Sequence, residues 1–230
     1  MQSAPTIAVI LIAGLGSRLG RSHPKCLTRL VDGETILARQ IRLLRNQGLE
    51  IIAVTGFKLE SILAAHPDLL FAYNPDYRTT NTSKSLLRAL QRIQGQDVVW
   101  LNGDVVFDDR VLTRLLDQPG GTVAVNSAQV GEEEVKYATD ADGYITRISK
   151  QVSQAAGESL GVNIVRSDRL EAFKHALAEV QEQDYFEKAM ELLIEHDARA
   201  FRAVDVSDLL CVEVDFEEDL RQANNFLARD

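Results

Sequence analysis

The segment Ile7-Ala-Val-Ile-Leu-Ile-Ala-Gly-Leu-Gly-Ser-Arg-Leu-Gly20, followed by Arg21-Ser-His-Pro24-Lys25, decides how the rest of this chain is read. Ile7 to Ala13 is an unbroken apolar run that ends in glycines, which suits a strand buried on both faces of a parallel sheet. Gly14, Gly16 and Gly20 are spaced GxGxxxG, one residue off the dinucleotide fingerprint. In a dinucleotide fold the third glycine lies in a helix packed on the sheet. Here Pro24 follows closely, and proline inside a helix costs about 3 kcal/mol. The acidic residue expected at the end of the second strand is also missing, since that strand ends in Val54-Thr55. A triphosphate uses every unusual residue instead. Glycines let backbone N–H groups approach phosphate oxygens. Ser17 adds a hydroxyl donor, and Arg18 and Lys25 supply two cations. Ile12, Ala13, Gly14, Gly16 and Ser17 are therefore expected to border a nucleotide, with Arg18 and Lys25 on its phosphates.

Beyond this segment, apolar residues at Ile36, Leu37, Ile41, Leu43 and Leu44 predict a helix over Thr35 to Gln47, stopped by Gly48. Further strands are predicted at 50–55, 69–73, 97–101 and 122–126, with helices at 58–65, 83–93 and 110–116 between them. The polar stretch 74–81 reads as a loop. Val135 to Thr139 and Tyr144 to Ser149 flank Asp140-Ala-Asp-Gly143 and read as a β-hairpin. Leu160 to Val165, 201–204 and 209–214 read as strands, and 168–181, 185–195 and 216–228 as helices. Alternating β and α elements followed by antiparallel pieces predict an α/β, Rossmann-like mixed sheet. It should be mostly parallel, with helices on both faces and a small antiparallel extension, in a single domain over 1–230.

The chain has 230 residues, 45% of them hydrophobic and 26% charged, enough for one sizeable core. Its net charge of −9 argues against a general affinity for nucleic acid or an anionic membrane. An anionic substrate would need a local basic pocket or a metal ion. Cys26 and Cys211 form no CxxC pattern, and the first apolar run is too short to span a membrane. A cytoplasmic location is the expectation. Trp100 is expected in the core, and Glu132-Glu-Glu134 in a solvated loop.

Leu11-Ile-Ala-Gly-Leu-Gly-Ser-Arg-Leu with Pro24-Lys25 resembles the signature of the nucleotidyltransferases that make activated sugars and alcohols. The resemblance implies a glycosyltransferase-A-like fold and a reaction that joins a nucleoside triphosphate to a phosphorylated acceptor, releasing pyrophosphate. Among these enzymes the chain looks most like the cytidylyltransferases for phosphocholine, phosphonates and inositol phosphate. Asn74-Pro-Asp-Tyr-Arg-Thr-Thr-Asn81-Thr-Ser-Lys-Ser85 resembles the loop lying over the base in that group. Asn81, Thr82 and Ser85 could read a base edge, while Thr82 or Ser83 could equally cap the following helix. Asn102-Gly103-Asp104 stands at the carboxyl end of a buried strand, where open α/β sheets bind ligands. The resemblance makes Asp104 a magnesium ligand beside Asn102. Alternation places Glu213 and Asp215 on one side of a strand, as a second acidic group for Mg²⁺, with N-capping as the competing role for Asp215. The same resemblance assigns Lys150, and more weakly Lys136, to the acceptor's phosphate. It places Tyr185 and Glu187 on a helix facing the acceptor, with Glu158 on a glycine-containing acceptor strand.

The expected enzyme is a CTP-dependent nucleotidyltransferase with Arg18, Lys25, Asp104 and Asp215 at its catalytic centre and Mg²⁺ as cofactor. Its partners would be CTP and a small phosphorylated or phosphonylated acceptor, with a homodimer allowed for. Tyr137, Tyr185 and Phe186 could form a partial aromatic cage. The absence of tryptophan near 132–137 leaves phosphocholine itself less well served than a primary-amine phosphonate or polyol phosphate. The alternatives are a sugar-1-phosphate nucleotidyltransferase using UTP, GTP or dTTP, and a non-catalytic nucleotide-binding module.

Overall fold

A computed structural model of the chain describes residues 6–14, 23–128, 130, 131 and 134–228. Strand β1 (Ile7–Ile12) is buried along its length. Its side chains alternate between two cores: Ile7, Val9 and Leu11 face one, and Ala8, Ile10 and Ile12 the other. A strand with two dry faces has no position for a polar residue, which is why this stretch is uniformly apolar.

Helix α1 (Ile36–Asn46) starts where the Thr35 side chain accepts the Ala38 N–H, and it closes at Gly48, whose φ of +73° few other residues tolerate. Then come β2 (Glu50–Thr55), α2 (Leu59–Ala65), β3 (Leu70–Tyr73), α3 (Thr82–Leu90) and β4 (Val98–Asn102). Next are β5 (Val105–Phe107), α4 (Asp109–Leu116) and β6 (Gly121–Asn126). The predicted hairpin is present as β7 (Lys136–Thr139) and β8 (Ile145–Ser149), paired antiparallel. Last come β9 (Gly157–Val165), α5 (Leu170–Glu179), α6 (Phe186–His196), β10 (Phe201–Asp205), β11 (Cys211–Glu213) and α7 (Glu217–Leu227).

The main sheet runs β10-β6-β9-β4-β1-β2-β3. Its β4-β1-β2-β3 portion is parallel, and β9 is antiparallel to both β4 and β6. Residues of α1, α2 and α4 fill the core on one face, and residues of α3, α5 and α6 the core on the other. On the second face Trp100 packs against Phe173, Phe186 and Phe201, with ring centroids 5.1, 5.8 and 6.1 Å away. The chain steps from β1 to β2 to β3, then returns through α3 to β4 on the other side of β1. This reversal sets the carboxyl ends of β1 and β4 side by side, Leu11 opposite Asn102. Such a switch point is where open sheets bind ligands.

Three local differences from the sequence reading have physical causes. Strand β9 begins three residues before Leu160, because Glu158 and Ser159 pair with Asn126 and Val125. Asn81, not Thr82 or Ser83, caps α3, its Oδ1 accepting the Thr82 N–H at 2.8 Å. The short strand β5 was not expected. It exists because β11 pairs with it from more than a hundred residues away in the chain.

Candidate active site

A cleft of about 550 Å³ opens at the carboxyl ends of β1 and β4. Its floor is a tight turn after β4. The Gly103 N–H donates to the Leu11 carbonyl at 3.0 Å. A Cβ at position 103 would lie 2.1 Å from Cγ2 of Ile12, so only glycine permits this approach. From α1, the buried Gln40 amide donates to the carbonyls of Asn102 (3.0 Å) and Val105 (2.8 Å), clamping the turn on both sides of Asp104. The Val214 N–H donates to the Asp104 carbonyl at 3.0 Å and ties the turn to the segment carrying Asp215.

Into this frame projects Lys25, from a 3-10 turn over Lys25–Leu27 that Pro24 opens. Its Nζ lies 2.7 Å from Asp104 Oδ2 and also donates to Asp215 Oδ1. The Lys25 side chain is only 10% exposed. Burial by itself would lower its pKa, but the two carboxylates outweigh that and hold it above the ordinary value, so the ammonium stays charged. Phe216, not Asp215, stands at the N-cap of α7, and Asp219 in its first turn accepts the N–H groups of Asp215 (3.0 Å) and Phe216 (2.7 Å). The side chain of Asp215 turns to Lys25 instead.

Asn102 donates to Glu213 Oε1 at 3.0 Å. Gly161 of β9, at φ +67°, leaves room for that pair, because a Cβ there would stand 2.3 Å from the same oxygen. Burial, and then the charge of Asp104, push the Glu213 carboxyl well above its ordinary pKa against the pull of Asn102. Glu213 is thus engaged with Asn102, whereas Asp104 Oδ1 is buried and lacks a hydrogen-bond partner among the described residues. An orphaned carboxylate oxygen beside a second carboxylate fits a hard cation such as Mg²⁺, which takes one or two carboxylates together with substrate oxygens. Among the described residues no group of three His, Cys, Asp or Glu side chains could hold a metal alone, so substrate oxygens would complete the shell.

Of the other expected residues, Ile12, Gly14, Thr82, Lys150, Tyr185 and Glu187 line the same cleft. Ala13 is buried beside it and accepts the Phe57 N–H. Gly16, Ser17 and Arg18 lie outside the described residues. Asn81 is engaged as a cap, and Ser85 is buried in a hydrogen bond from Asn74 at 3.0 Å. Neither lines the cleft, so Thr82 alone of those three does. Lys136 and Glu158 also stand off the lining. Glu158 accepts from Gly131 N at 3.0 Å and Asn126 Nδ2 at 3.4 Å, which fixes a neighbouring loop.

Two expectations need correction. Glu134 is half-buried and lines the cleft rather than standing in solvent, and burial followed by Glu158 raises its carboxyl pKa. Tyr137, on β7 of the hairpin, is buried and does not line the cleft, so it adds nothing to an aromatic cage. Sequence reasoning also missed Gln40 and Ser159. Gln40 was detectable as a polar residue inside the apolar stripe of α1. Ser159 fell outside the strand as first bounded.

A family model described as the MobA-like NTP transferase domain matches residues 8–209. The CMP-5'-(3-aminopropyl)phosphonate synthase of Streptomyces rubellomurinus is 34% identical over 96% of this chain. The chain spans only 39% of that relative's length. Among solved structures, the CTP:phosphocholine cytidylyltransferase of Streptococcus pneumoniae superposes with a TM-score of 0.78 at 17% identity, covering 97% of this chain and 100% of that one. The inositol-1-phosphate CTP transferase of T. maritima gives 0.77 at 17% identity, covering 95% and 93%. At such identities the superpositions show a shared fold, the nucleotidyltransferase-like mixed sheet expected from the sequence. With the family model covering most of its length, this chain belongs to the MobA-like NTP transferase domain family.

Proposed function

We propose that this protein transfers the CMP group of CTP to a small phosphonate or phosphate acceptor and releases pyrophosphate. The observation that carries the reading is the Lys25–Asp104–Asp215 cluster at the β1/β4 switch point, in the cleft that Gly14 also lines. CTP is preferred over other nucleotides because the relative similar over nearly the whole chain is named for a CMP-phosphonate product.

An oxygen of the acceptor's phosphonate or phosphate attacks the α-phosphorus. The bond to the bridging oxygen breaks, and the electron pair leaves on pyrophosphate. An ionised acceptor oxygen needs no general base, so catalysis rests on positioning and charge neutralisation. Asp104 and Asp215 would hold Mg²⁺, which when bound neutralises charge on the α-phosphate. Lys25 would then turn from the two carboxylates to the triphosphate. Arg18 serves the same phosphates, and Lys150 meets the acceptor's anionic head.

The test is pyrophosphate release with CTP, UTP, GTP and dTTP against aminoalkylphosphonates, phosphocholine, inositol phosphate and glucose 1-phosphate. Turnover with CTP and a phosphonate or phosphoalcohol is the expected result. Turnover only with UTP, GTP or dTTP and a sugar phosphate overturns the assignment, and no turnover with any pair favours a binding module.

A further inference from the structure

The first turn of α3 caps two other helices. At the carboxyl end of α5 the last carbonyls have no further helical turn to bond. Lys84 of α3 supplies the donor: its Nζ donates to the carbonyls of Leu177 (3.0 Å), Ala178 (3.1 Å) and Val180 (2.5 Å). An ammonium there also meets the negative end of the α5 dipole. At the amino end of α6 the N-cap is Tyr185, whose side chain makes no capping hydrogen bond. Thr82 of α3 takes that part, its Oγ1 accepting the Phe186 N–H at 3.1 Å.

The stretch 180–185 between these helices is tied to the same turn. The Asn81 N–H donates to the Glu182 carbonyl at 2.8 Å, and the Asn81 side-chain amide donates to the Gln183 carbonyl at 3.2 Å. The buried Ser83 Oγ donates to the Asp184 carbonyl at 2.6 Å, and Gln183 Nε2 returns a bond to the Thr79 carbonyl. Residues 79–84 and 177–186 thus form one latch between segments about a hundred residues apart in the chain. Both sides of it reach the cleft, Thr82 from one and Tyr185, Phe186 and Glu187 from the other. Where the first turn of α6 stands relative to Thr82 is therefore set by the latch. The proposed reaction depends on positioning, and a misplacement of about 1 Å, caused far from the reacting atoms, can cost about a hundredfold in rate.

We infer that Lys84 is a positioning residue: it closes the carboxyl end of α5, holds the 177–186 segment on the amino end of α3, and so fixes Tyr185, Phe186 and Glu187 relative to Thr82 in the cleft. Lys84 itself stands off the cleft lining and acts only through the latch. Without its ammonium, three carbonyls at the end of α5 lose their shared donor, and the first turn of α6 is held less firmly. The inference rests on the proposed function for the reaction, though not for the latch.

The experiment compares wild type with Lys84→Met, Lys84→Arg, Ser83→Ala and Lys174→Met, each shown to be folded by circular dichroism. Lys174 is the control. It too joins α5 to the end of the α3 segment, donating to the Ile93 carbonyl at 2.6 Å, but it lies off the latch and off the cleft lining. Hydrogen exchange at the Asn81 and Phe186 amides reads the latch, and steady-state pyrophosphate release, with the nucleotide and acceptor that wild type uses, reads positioning. Lys84→Met should exchange both amides about ten- to a hundredfold faster, the range set by losing hydrogen bonds to a charged group. Its kcat should fall about ten- to a hundredfold, with KM for the nucleotide within about threefold of wild type. Lys84→Arg, which keeps charge and donors, should recover most of both. Ser83→Ala removes a different tie and should move both in the same direction by a smaller factor, and Lys174→Met should move neither. Unchanged exchange in Lys84→Met, faster exchange with unchanged kcat, or an equal effect from Lys174→Met overturns the inference. If wild type turns over no nucleotide and acceptor pair, the proposed function falls by itself, and the exchange rates alone sustain or reject the latch.

Discussion

Glu187 provides a quantitative test of how the cleft is built, because its titration is coupled to folding. Burial raises its carboxyl pKa from the ordinary 4.5 to about 7, against the pull of its own backbone N–H and of Lys150. In the unfolded chain the same carboxyl ionises at its ordinary value. Between those two pH values the folded protein holds a proton that the unfolded chain has lost, so stability falls as pH rises through this window and levels off above it. Each tenfold change in proton affinity is worth about 1.4 kcal/mol, which makes the full penalty about 3 kcal/mol above pH 7. Glu187→Gln cannot ionise and escapes it. For a chain of this length 1 kcal/mol moves Tm by roughly 2–4 °C, so the variant should melt about 6–12 °C above wild type at pH 8. The two should converge below pH 4.5. Glu187 also helps to raise the Glu213 carboxyl, so the difference between the two melting curves reads the Glu187 carboxyl together with the part of the Glu213 shift that depends on it. Calorimetric scans from pH 4 to 8 supply the data. A Tm difference that does not change with pH would refute the buried, ionisation-resistant carboxylate and its place in the cleft wall.

The remaining predictions concern the nucleotide centre. Lys25→Ala and Asp104→Ala should each lower pyrophosphate release at least about a hundredfold while the far-ultraviolet circular dichroism stays native. Near-normal turnover in either would remove that residue from the mechanism. Gly161→Ala combines a left-handed backbone cost of about 1–2 kcal/mol with a Cβ 2.3 Å from Glu213 Oε1, so Tm should drop by several degrees and turnover should fall with it. An unchanged melting curve would mean that β9 does not crowd the Asn102–Glu213 pair. Gln40→Leu strips the donors from two turn carbonyls, and urea denaturation should record a loss of roughly 1–3 kcal/mol, with kcat reduced because Asp104 is less firmly held.

Some of this molecule was readable because local sequence decides it. Six residues buried on both faces can only be apolar, so β1 declared itself, and Gly48 ended α1 where a positive φ was needed. Asp104 and Asp215 were legible from their positions at strand ends. Other features depend on partners remote in the chain, which no local pattern encodes. Strand β5 is a strand only because β11 pairs with it. Asn81 and Ser85 have the hydrogen-bonding chemistry for a base edge, yet Asn81 caps α3 and Ser85 answers Asn74. Glu134 belongs to an acidic run that reads as solvated. The cleft wall it joins is assembled from Lys150 and Tyr185, which lie far along the chain.

The charge pattern of the lining bears on how a triphosphate could be accepted there. Among the described residues the lining has Lys25 and Lys150 as cations, against the acids Asp104, Asp215, Glu134, Glu187 and Glu213. Five ionised carboxyls would repel an incoming nucleotide, but the pKa values of Glu134, Glu187 and Glu213 are all raised, chiefly by burial. Fewer of them carry charge at neutral pH than their number implies. Asp104 and Asp215 remain as a pair, with the Lys25 ammonium bonded to both. On the proposed reading the Lys25 ammonium screens the two carboxylates from each other until a triphosphate arrives. A triphosphate that draws Lys25 away leaves two carboxylates whose repulsion a divalent cation relieves. On that reading the same three side chains would make nucleotide binding and metal binding mutually favourable. Asp104 and Asp215 lie 79 and 190 residues from Lys25, so this coupling exists only once the sheet has formed.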